Sequence, residues 1–479
     1  MNQKNNDLVL DVNENPKGIW NWLMLALQHL LAMLVACITV PLVINKIYPD
    51  AHLPISATLI SSGIGSLAYL LITKRKSPVF LSSSFAYIPP MISALTVGLI
   101  GGATGMNYFA MMLGMFFVML VYIIIALVIR FVGTKWLDKL LPPIVVGPVI
   151  MVIGLSLASS AVSNLTSSNA TGQSYNLVAI FIGIVSAIIT ALLAFYGKKM
   201  LKMIPFVIGM ASGYLLALIF TGCGYLFNND YLKIIDFTPL INTFSPKTNE
   251  EIIYMFFNYK LFIPNSNESF LFLRFEEISK FDWSTIITVM LLFIPVSFVT
   301  LCEHIGDHLN LSNIIHHDIF KEVGLKRTLV GDGIGTGISG LLCGAANTTY
   351  GENVAVIGIT KVASVNVMIL ACIFAVFSGF FTPFTTVLET IPSCVCGGVS
   401  LLLYGFIASS GTKMLISNSV DLSETKNILI MSVILVSGIG GLVLKFGNID
   451  APFITITSIA VSMFLGILMN AILKEKKKK

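Results

Sequence analysis

Two short polar stretches stand out in a chain that otherwise consists largely of apolar residues. Glu303, His304, Asp307 and His308 form "EHIGDH", and Glu352 lies in "ANTTYGEN" at residues 346–353. A carboxylate can accept hydrogen bonds from the N–H groups of a polar ligand, and it can also take up a proton. Because a charge inside a bilayer costs a few kcal/mol, such residues usually line a cavity and serve function.

Each of these residues also has a purely structural interpretation. Glu303 and Glu352 could make hydrogen bonds between helices, and Asp307 and His308 could be solvated near a loop. Glu303 and Asp307 are four residues apart and share one helical face, while His304 and His308 share a neighbouring face. The two histidines could form half of a metal site, but a third ligand at helical spacing is lacking, so the pattern does not favour metal binding.

Two other polar residues are better explained by packing. His29 lies on an apolar face, which is typical of a core histidine with satisfied hydrogen bonds. Asp332 lies in the glycine series "GDGIGTGISG", which matches neither nucleotide-binding fingerprint and falls in an apolar span. Close helix packing is the favoured interpretation of these glycines.

The composition identifies an integral membrane protein. Of 479 residues, 56% are hydrophobic and 11% are charged, against about 25% charged in ordinary soluble domains. Apolar runs long enough to cross a bilayer as helices follow one another almost from end to end. The polar start does not have the order of a cleaved signal peptide, so the first helix is expected to target the chain. The net charge of +5 and the "KEKKKK" tail indicate topology rather than a nucleic-acid partner.

The apolar windows predict about fourteen transmembrane segments in an all-α polytopic fold. They are 20–44, 54–73, 79–99, 106–131, 142–162, 175–195, 203–224, 283–304, 326–343, 346–365, 366–388, 392–412, 426–446 and 451–473. Lys and Arg fall on alternate loops, which predicts a multi-pass plasma-membrane protein with a cytoplasmic N-terminus at 1–19 and a cytoplasmic basic tail at 474–479. Residues 225–282 are expected to form a packed external loop.

Local signatures recur in the same order in the two halves of the chain. The three pairs are Gln28-His29 with Glu303-His304, residues 83–86 with residues 348–351, and Pro142 and Gly147 with Pro392 and Gly397. They predict two repeats of seven segments. An odd number of crossings inverts the second repeat in the membrane, as in many secondary transporters, although two related bundles without a transport role would carry the same pattern.

Segments 3 and 10 are interrupted at matching positions of the two repeats. "SSSFAYIPP" and "CGAANTTYGEN" read as short polar stretches rather than continuous helices. Irregular backbone at membrane depth must be buried in protein or line a cavity. We therefore expect each segment to begin as a short strand, the two strands to pair near the midplane, and a half-helix to follow each strand.

The chain resembles the nucleobase/ascorbate transporter family, and within it the bacterial uracil permease branch. The matching stretches are "LQHLLAM", "SSFAY", "LPPIVVG", "EHIGD", "NTTYGEN" and "GGVSLLLYG". The resemblance implies a core domain at 20–131 and 283–388, a gate domain at 142–224 and 392–473, and proton-coupled uptake by a homodimer in the lipid bilayer.

The resemblance also assigns roles to individual positions. It implies that Glu303 and Glu352 hold the nucleobase, that Phe85 and Gly351 offer backbone amides, and that Ala36, Tyr350 and Tyr404 pack around it. Glu303, Asp307 and His304 are the implied proton-coupling residues. The uracil branch carries a histidine where Asp307 stands, so Asp307 becomes the candidate proton or ion acceptor. Purine-selective branches tend to carry Gln in place of Glu352, so "YGEN" favours uracil.

Several alternatives to a uracil:proton symporter stay open at this stage. A xanthine or other purine permease, or a sodium-coupled nucleobase carrier, would share most of these features. A membrane metalloenzyme would need "EHIGDH" to bind a metal ion, an anion exchanger would favour a basic group over carboxylates, and a channel would lack saturation by substrate. The expectation is a transporter rather than an enzyme, without a cofactor.

Overall fold

The computed structural model describes most of the chain. The described residues are 8–48, 51–96, 106–168, 170, 172–198, 201, 204–245, 249–265, 269–447 and 452–473. The predicted cytoplasmic tail at 474–479 and the first seven residues of the predicted cytoplasmic N-terminus lie outside this part.

Among its described residues, the first half of the chain forms nine α-helices and one short strand. In chain order they are α1 Ile19–Ile47, α2 Ile55–Ile72, β1 Leu81–Ser83, α3 Ile88–Leu95, α4 Tyr108–Val132, α5 Lys135–Leu140, α6 Pro143–Ser156, α7 Ala158–Thr166, α8 Leu177–Tyr196 and α9 Pro205–Leu226.

A connecting region follows, whose described residues include the short α-helices α10 Thr238–Phe244, α11 Asn249–Tyr254 and α12 Phe275–Lys280. Arg274 is only 2% exposed. Its Nε donates to the carbonyl of Ser269 at 2.9 Å, and its guanidinium lies 4.5 Å from the centre of the Tyr108 ring. Phe257 stacks on Phe380 with ring centres 5.3 Å apart. These contacts pack the region against the helices, and its position outside the membrane stays a prediction.

The second half contains the remaining helices and strands of the described chain. They are α13 Ile286–Ile315, α14 Ile319–Glu322, α15 Leu325–Leu341, β2 Asn347–Thr349, α16 Gly351–Thr360, α17 Val365–Phe380, α18 Thr382–Glu389, α19 Ser393–Ser417, α20 Thr425–Ile439, β3 Leu444–Gly447, β4 Pro452–Ile456 and α21 Ser458–Ile472.

Within the described residues, eight spans are long and apolar enough to cross a membrane. They lie in α1, α2, α4, α6 with α7, α8, α9, α13 and α19, and shorter apolar helices include α17, α20 and α21. The chain is therefore a helical, multi-pass membrane protein. The count of fourteen segments and their arrangement as inverted repeats stay predictions.

Three predicted segment boundaries differ clearly from the structure. Helix α13 continues to Ile315, beyond the predicted end of segment 8 at residue 304. The adjoining ends of predicted segments 13 and 14 form the antiparallel hairpin of β3 and β4. Gly441 leaves the helical conformation with φ of 75° just after α20. The alternating β-branched residues of "ITIT" in and just after β4 favour a strand over a helix.

Strands β1 and β2 pair with each other, as expected for the two interrupted segments. The antiparallel register places Leu81 opposite Thr349 and Ser83 opposite Asn347. The Ser66 hydroxyl accepts from the Leu81 N–H at 2.8 Å, which ties β1 to α2. The polar backbone of the two strands is thus satisfied within the protein, as the membrane interior requires.

The glycines of α15 allow close helix crossings, which confirms the packing interpretation. A Cβ on Gly331 would lie 2.8 Å from the Tyr69 ring, and one on Gly333 would lie 2.9 Å from the Cβ of Tyr122. Helix α15 therefore packs tightly against both α2 and α4.

Candidate functional site

A helix starts beyond each end of the β1–β2 pair, because the two strands are antiparallel. A 3₁₀ helix begins at Phe85, immediately after Ser84, and α16 begins at Gly351. The Ser84 N–H donates to the carbonyl of Ala346 at 2.8 Å and extends the pairing to the end of the strands. The first N–H groups of a helix have no acceptor within the helix. The amide donors of Phe85 and Gly351 thus flank the strand pair, one at each end, where they can bind carbonyl or anionic oxygens.

The carboxylates approach this region from α13 and α16. Glu303 and Asp307 lie in the interior of α13, one turn apart, and Glu352 lies in the first turn of α16. The Glu303 carboxylate interacts electrostatically with those of Asp307 and Glu352. Because like charges repel strongly in a low-dielectric interior, a proton or a hydrogen-bond donor at one carboxylate affects the others.

Asp307 contacts β2 and the start of α16 directly. Its Oδ2 accepts from the Thr349 hydroxyl at 2.8 Å, and a Cβ on Gly351 would lie 2.9 Å from its Oδ1. Asp307 is 8% exposed and His308 is fully buried. The solvated interpretation of these two residues is therefore wrong, because α13 does not end at the motif but continues past it.

Several buried polar atoms around this region have no hydrogen-bond partner among the described residues. They include Oε2 of Glu303, Oε1 of Gln28, Nε2 of His29, the hydroxyls of Ser83, Ser84, Thr348 and Tyr404, and Nδ2 of Asn353. A buried polar group without a partner costs about 1–3 kcal/mol. These donors and acceptors are therefore suited to a small polar ligand that complements them.

Helix α1 contacts both broken segments. His29 Nδ1 lies 2.5 Å from Asn353 Oδ1, so one nitrogen of His29 is paired while the other is among the unpaired atoms. The Cys37 thiol donates to Ser62 Oγ at 3.3 Å and lies 3.2 Å from Ser82 Oγ in β1. Ala36 lies in α1 beside Cys37, and its side chain is outside the described part of the structure.

The predicted aromatic residues are buried beside the two helix starts. Phe85 and Tyr404 meet edge to face with ring centres 5.2 Å apart, so α19 contacts the first broken segment. The Tyr404 hydroxyl lies near Ser400 without reaching hydrogen-bond geometry. Tyr350, which precedes α16, is 4% exposed. Flat apolar rings of this kind can sandwich a planar ligand.

His304 is engaged with α15 instead. Its Nδ1 lies 2.7 Å from Asp332 Oδ2, and its Nε2 lies 3.0 Å from Thr328 Oγ1. His308 continues this network, with Nε2 lying 2.6 Å from the Tyr69 hydroxyl. Sequence reasoning missed Asp332 as a partner of His304. The available signal was a lone acidic residue in an apolar helix, which usually marks a buried polar partner.

Comparison with known proteins identifies the family. A model of a permease family matches residues 20–446. The chain belongs to this family. Its relatives include the uracil permease of Bacillus caldolyticus, 39% identical over 98% of this chain and 95% of that protein. The uracil permeases of Bacillus subtilis and Escherichia coli are 37% and 31% identical, covering 96% and 97% of this chain and 94% of each relative.

Solved transporter structures share the fold. The transmembrane domain of the cyanobacterial bicarbonate transporter BicA matches with a TM-score of 0.52 at 12% identity, covering 96% of this chain and 98% of that one. The anion transporter family member SLC26A9 matches with a TM-score of 0.54 at 12% identity, covering 95% of this chain and 66% of that one. The family and these folds make the chain a transporter rather than an enzyme.

Proposed function

We propose that this permease imports uracil by proton symport across the plasma membrane. The observation that carries the proposal is that α13, which carries Glu303, packs against both helix starts, the one at Phe85 and the one at Gly351 beside Glu352. The uracil permeases among its relatives support the choice of substrate.

The chemistry of the site suits uracil. One edge of the base alternates N–H donors with carbonyl acceptors, and carboxylates accept from the former while backbone amides donate to the latter. Glu303 and Glu352 take the N–H groups, and the Phe85 and Gly351 amides take the carbonyls. Tyr350, Tyr404 and Ala36 surround the faces of the ring.

Proton coupling is proposed to reside on α13. Glu303 links protonation to binding because its carboxylate interacts with those of both Asp307 and Glu352. Its charge state therefore changes the electrostatic energy of all three carboxylates. Asp307 is the further proton acceptor, held by Thr349 at 2.8 Å. His304 is proposed to affect proton coupling indirectly, through its contact with Asp332 on α15 rather than through a contact with the base.

The transport cycle is proposed to move the core domain, 20–131 and 283–388, against the gate domain, 142–224 and 392–473. Phe85 and Tyr404 belong to different domains in this division. Their rings, with centres 5.2 Å apart, are therefore proposed to come together when the two domains close around the base. The functional unit is proposed to be a homodimer with both termini in the cytoplasm.

The decisive experiment is uptake of labelled uracil into proteoliposomes that contain the purified chain. Uptake should saturate, and an inwardly directed proton gradient should drive it in the absence of sodium. Xanthine in excess should compete poorly, because the acidic Glu352 favours a pyrimidine.

Three results would contradict parts of this proposal. Uptake that is indifferent to the pH gradient would exclude proton symport, and dependence on sodium would favour a sodium-coupled carrier. Strong competition by xanthine would favour a purine permease. Glu424→Gln, at an exposed carboxylate before α20, is a matched variant that should leave uptake unchanged.

A further inference from the structure

The chain ahead of α1 is bound to the far end of the half-helix that carries Glu352. Leu10 forms a parallel bridge with Val362, just after α16. The Val9 N–H donates to the Lys361 carbonyl at 2.7 Å, and the Leu10 carbonyl accepts from the Ala363 N–H at 2.8 Å. The ladder ends where the Val12 carbonyl accepts from the Val365 N–H at 3.0 Å. We name residues 8–15 the strap.

Side chains of the strap hold it in place at both ends. Val12 is 4% exposed and belongs to the hydrophobic core. Asn15 Oδ1 accepts from Asn366 Nδ2 at 2.6 Å, and Asn366 in turn accepts a hydrogen bond from Arg75, beyond the end of α2. The strap is therefore a fixed element of the fold rather than a trailing terminus.

The strap also reaches the end of the helix that carries Glu303. His317 lies two residues beyond α13, and its Nε2 lies 3.2 Å from Asp11 Oδ1. Its Nδ1 lies 3.0 Å from Glu322 Oε1 in α14. Ionised carboxylates only accept hydrogen bonds, so both ring nitrogens can donate at once only when the imidazole is protonated. The neighbouring Asp318 is paired with Lys321 at 2.9 Å.

We propose that the strap is a positioning element, sensitive to pH through His317, that sets the spacing between the helix carrying Glu303 and the half-helix carrying Glu352. The inference rests on the proposed function, in which these two carboxylates hold one substrate. Helix α16 spans only ten residues, and its N-terminal end forms part of the site. Movement of its other end, at Lys361, therefore moves Gly351 and Glu352.

The direction of the pH effect follows from the contacts of His317. The hydrogen bond to Glu322, and then the attraction of Asp11, raise the pKa of His317 above its ordinary value. Because the pKa is raised, the contacts of protonated His317 stabilise the attachment of the strap fully below about pH 6.5, and this stabilisation is lost as the pH rises through the raised pKa. The strap is expected to hold firmly at mildly acidic pH on its own side of the membrane and to loosen at alkaline pH.

Amide hydrogen exchange of the purified full chain tests the strap without substrate. The N–H groups of Ala363 and Val365 donate to the strap, so their protection reports its attachment. We expect this protection to be greater in the wild type than in His317→Gln at about pH 6, and equal in both at a pH well above the raised pKa of His317. Asp11→Asn should behave as His317→Gln does, and Asn13→Ser, at an exposed position of the strap, is the matched control.

Uracil binding by the same proteins tests the positioning role. His317→Gln should bind uracil about two- to fivefold more weakly than the wild type at acidic pH, as expected for a half-exposed ion pair, and equally at alkaline pH. Equal exchange protection in both proteins at both pH values would overturn the strap as a pH-sensitive element. Altered protection with unchanged affinity would overturn its positioning role. Failure of the wild type to bind uracil under any condition would instead refute the proposed function, while the exchange result would still stand.

Discussion

The two broken segments share one backbone design but differ in what they carry. In the first, residues 81–95, a strand, a 3₁₀ turn and the eight-residue helix α3 follow one another without a charged residue. In the second, residues 347–360, a strand leads directly into α16, whose second residue is Glu352. Each segment places a helix start at one end of the strand pair. The two backbones are thus alike, but only the second segment carries an ionisable side chain.

The neighbours of the two segments differ accordingly. Phe85 of the first segment packs against the ring of Tyr404. Thr349 of the second donates a hydrogen bond to the carboxylate of Asp307, which lies so close to Gly351 that a Cβ there would be 2.9 Å from Oδ1. This difference predicts that substitutions of the carboxylates near the second segment affect both binding and coupling, whereas substitutions at the aromatic contact of the first segment have a modest effect on affinity.

The largest effect is expected at Glu303, which lies one turn before Asp307 on α13. Glu303→Gln replaces a charged carboxylate by a neutral amide that keeps one acceptor oxygen but cannot take up a proton. The buried Oε2 of Glu303 has no hydrogen-bond partner among the described residues, so it is available to the substrate. Uracil uptake by proteoliposomes should fall by about 100-fold or more, as for a lost charged hydrogen bond together with the coupling group. Normal uptake by this variant, at equal reconstitution, would refute the assignment.

An intermediate effect is expected at Glu352, within the second segment. Glu352→Gln keeps the shape of the side chain and its place in α16 but removes the charge. The KM for uracil should rise about tenfold, because a hydrogen bond to a charged group contributes more than one to a neutral group, while the maximal rate changes less. Initial-rate measurements over a range of uracil concentrations check this. An unchanged KM would remove Glu352 from the site.

The smallest effect is expected at Phe85, in the first segment. Phe85→Leu retains the backbone amide and removes the edge-to-face contact with Tyr404, a contact of about 0.5–1.5 kcal/mol. The KM should rise about threefold, with proton dependence unchanged. Phe195→Leu, at an exposed position of α8, is the matched control. A loss of uptake as severe as that of Glu303→Gln would show that the first segment affects more than affinity.

Sequence reasoning predicted the paired breaks because their signals are local. Polar and small residues interrupt two apolar runs at corresponding places, and the membrane allows such backbone only where it is buried. The strand pair and the helices that follow the two strands were accessible in this way, whereas Phe85 and Gly351 were named only through the family resemblance.

The extent of α13 could not be predicted from the same signals. "EHIGDH" looks like the end of a membrane helix because hydropathy falls there, yet the helix continues to Ile315. The polar side chains of the motif are buried by partners distant in sequence, including Asp332 for His304 and Thr349 for Asp307. The hairpin of β3 and β4 was missed for a similar reason, since an apolar run with β-branched residues is compatible with either helix or strand.

The sequence by itself determined the membrane class, the permease family and the positions at which the membrane segments break, because hydropathy and short motifs are properties of neighbouring residues. Only the tertiary structure decided which side chains form hydrogen bonds with each other between helices. It separates Asp307, which contacts the second broken segment, from His304, which turns to α15 although it lies three residues away on the same helix. That choice depends on hydrogen bonds between helices, and the residues that make them are brought together only when the chain has folded.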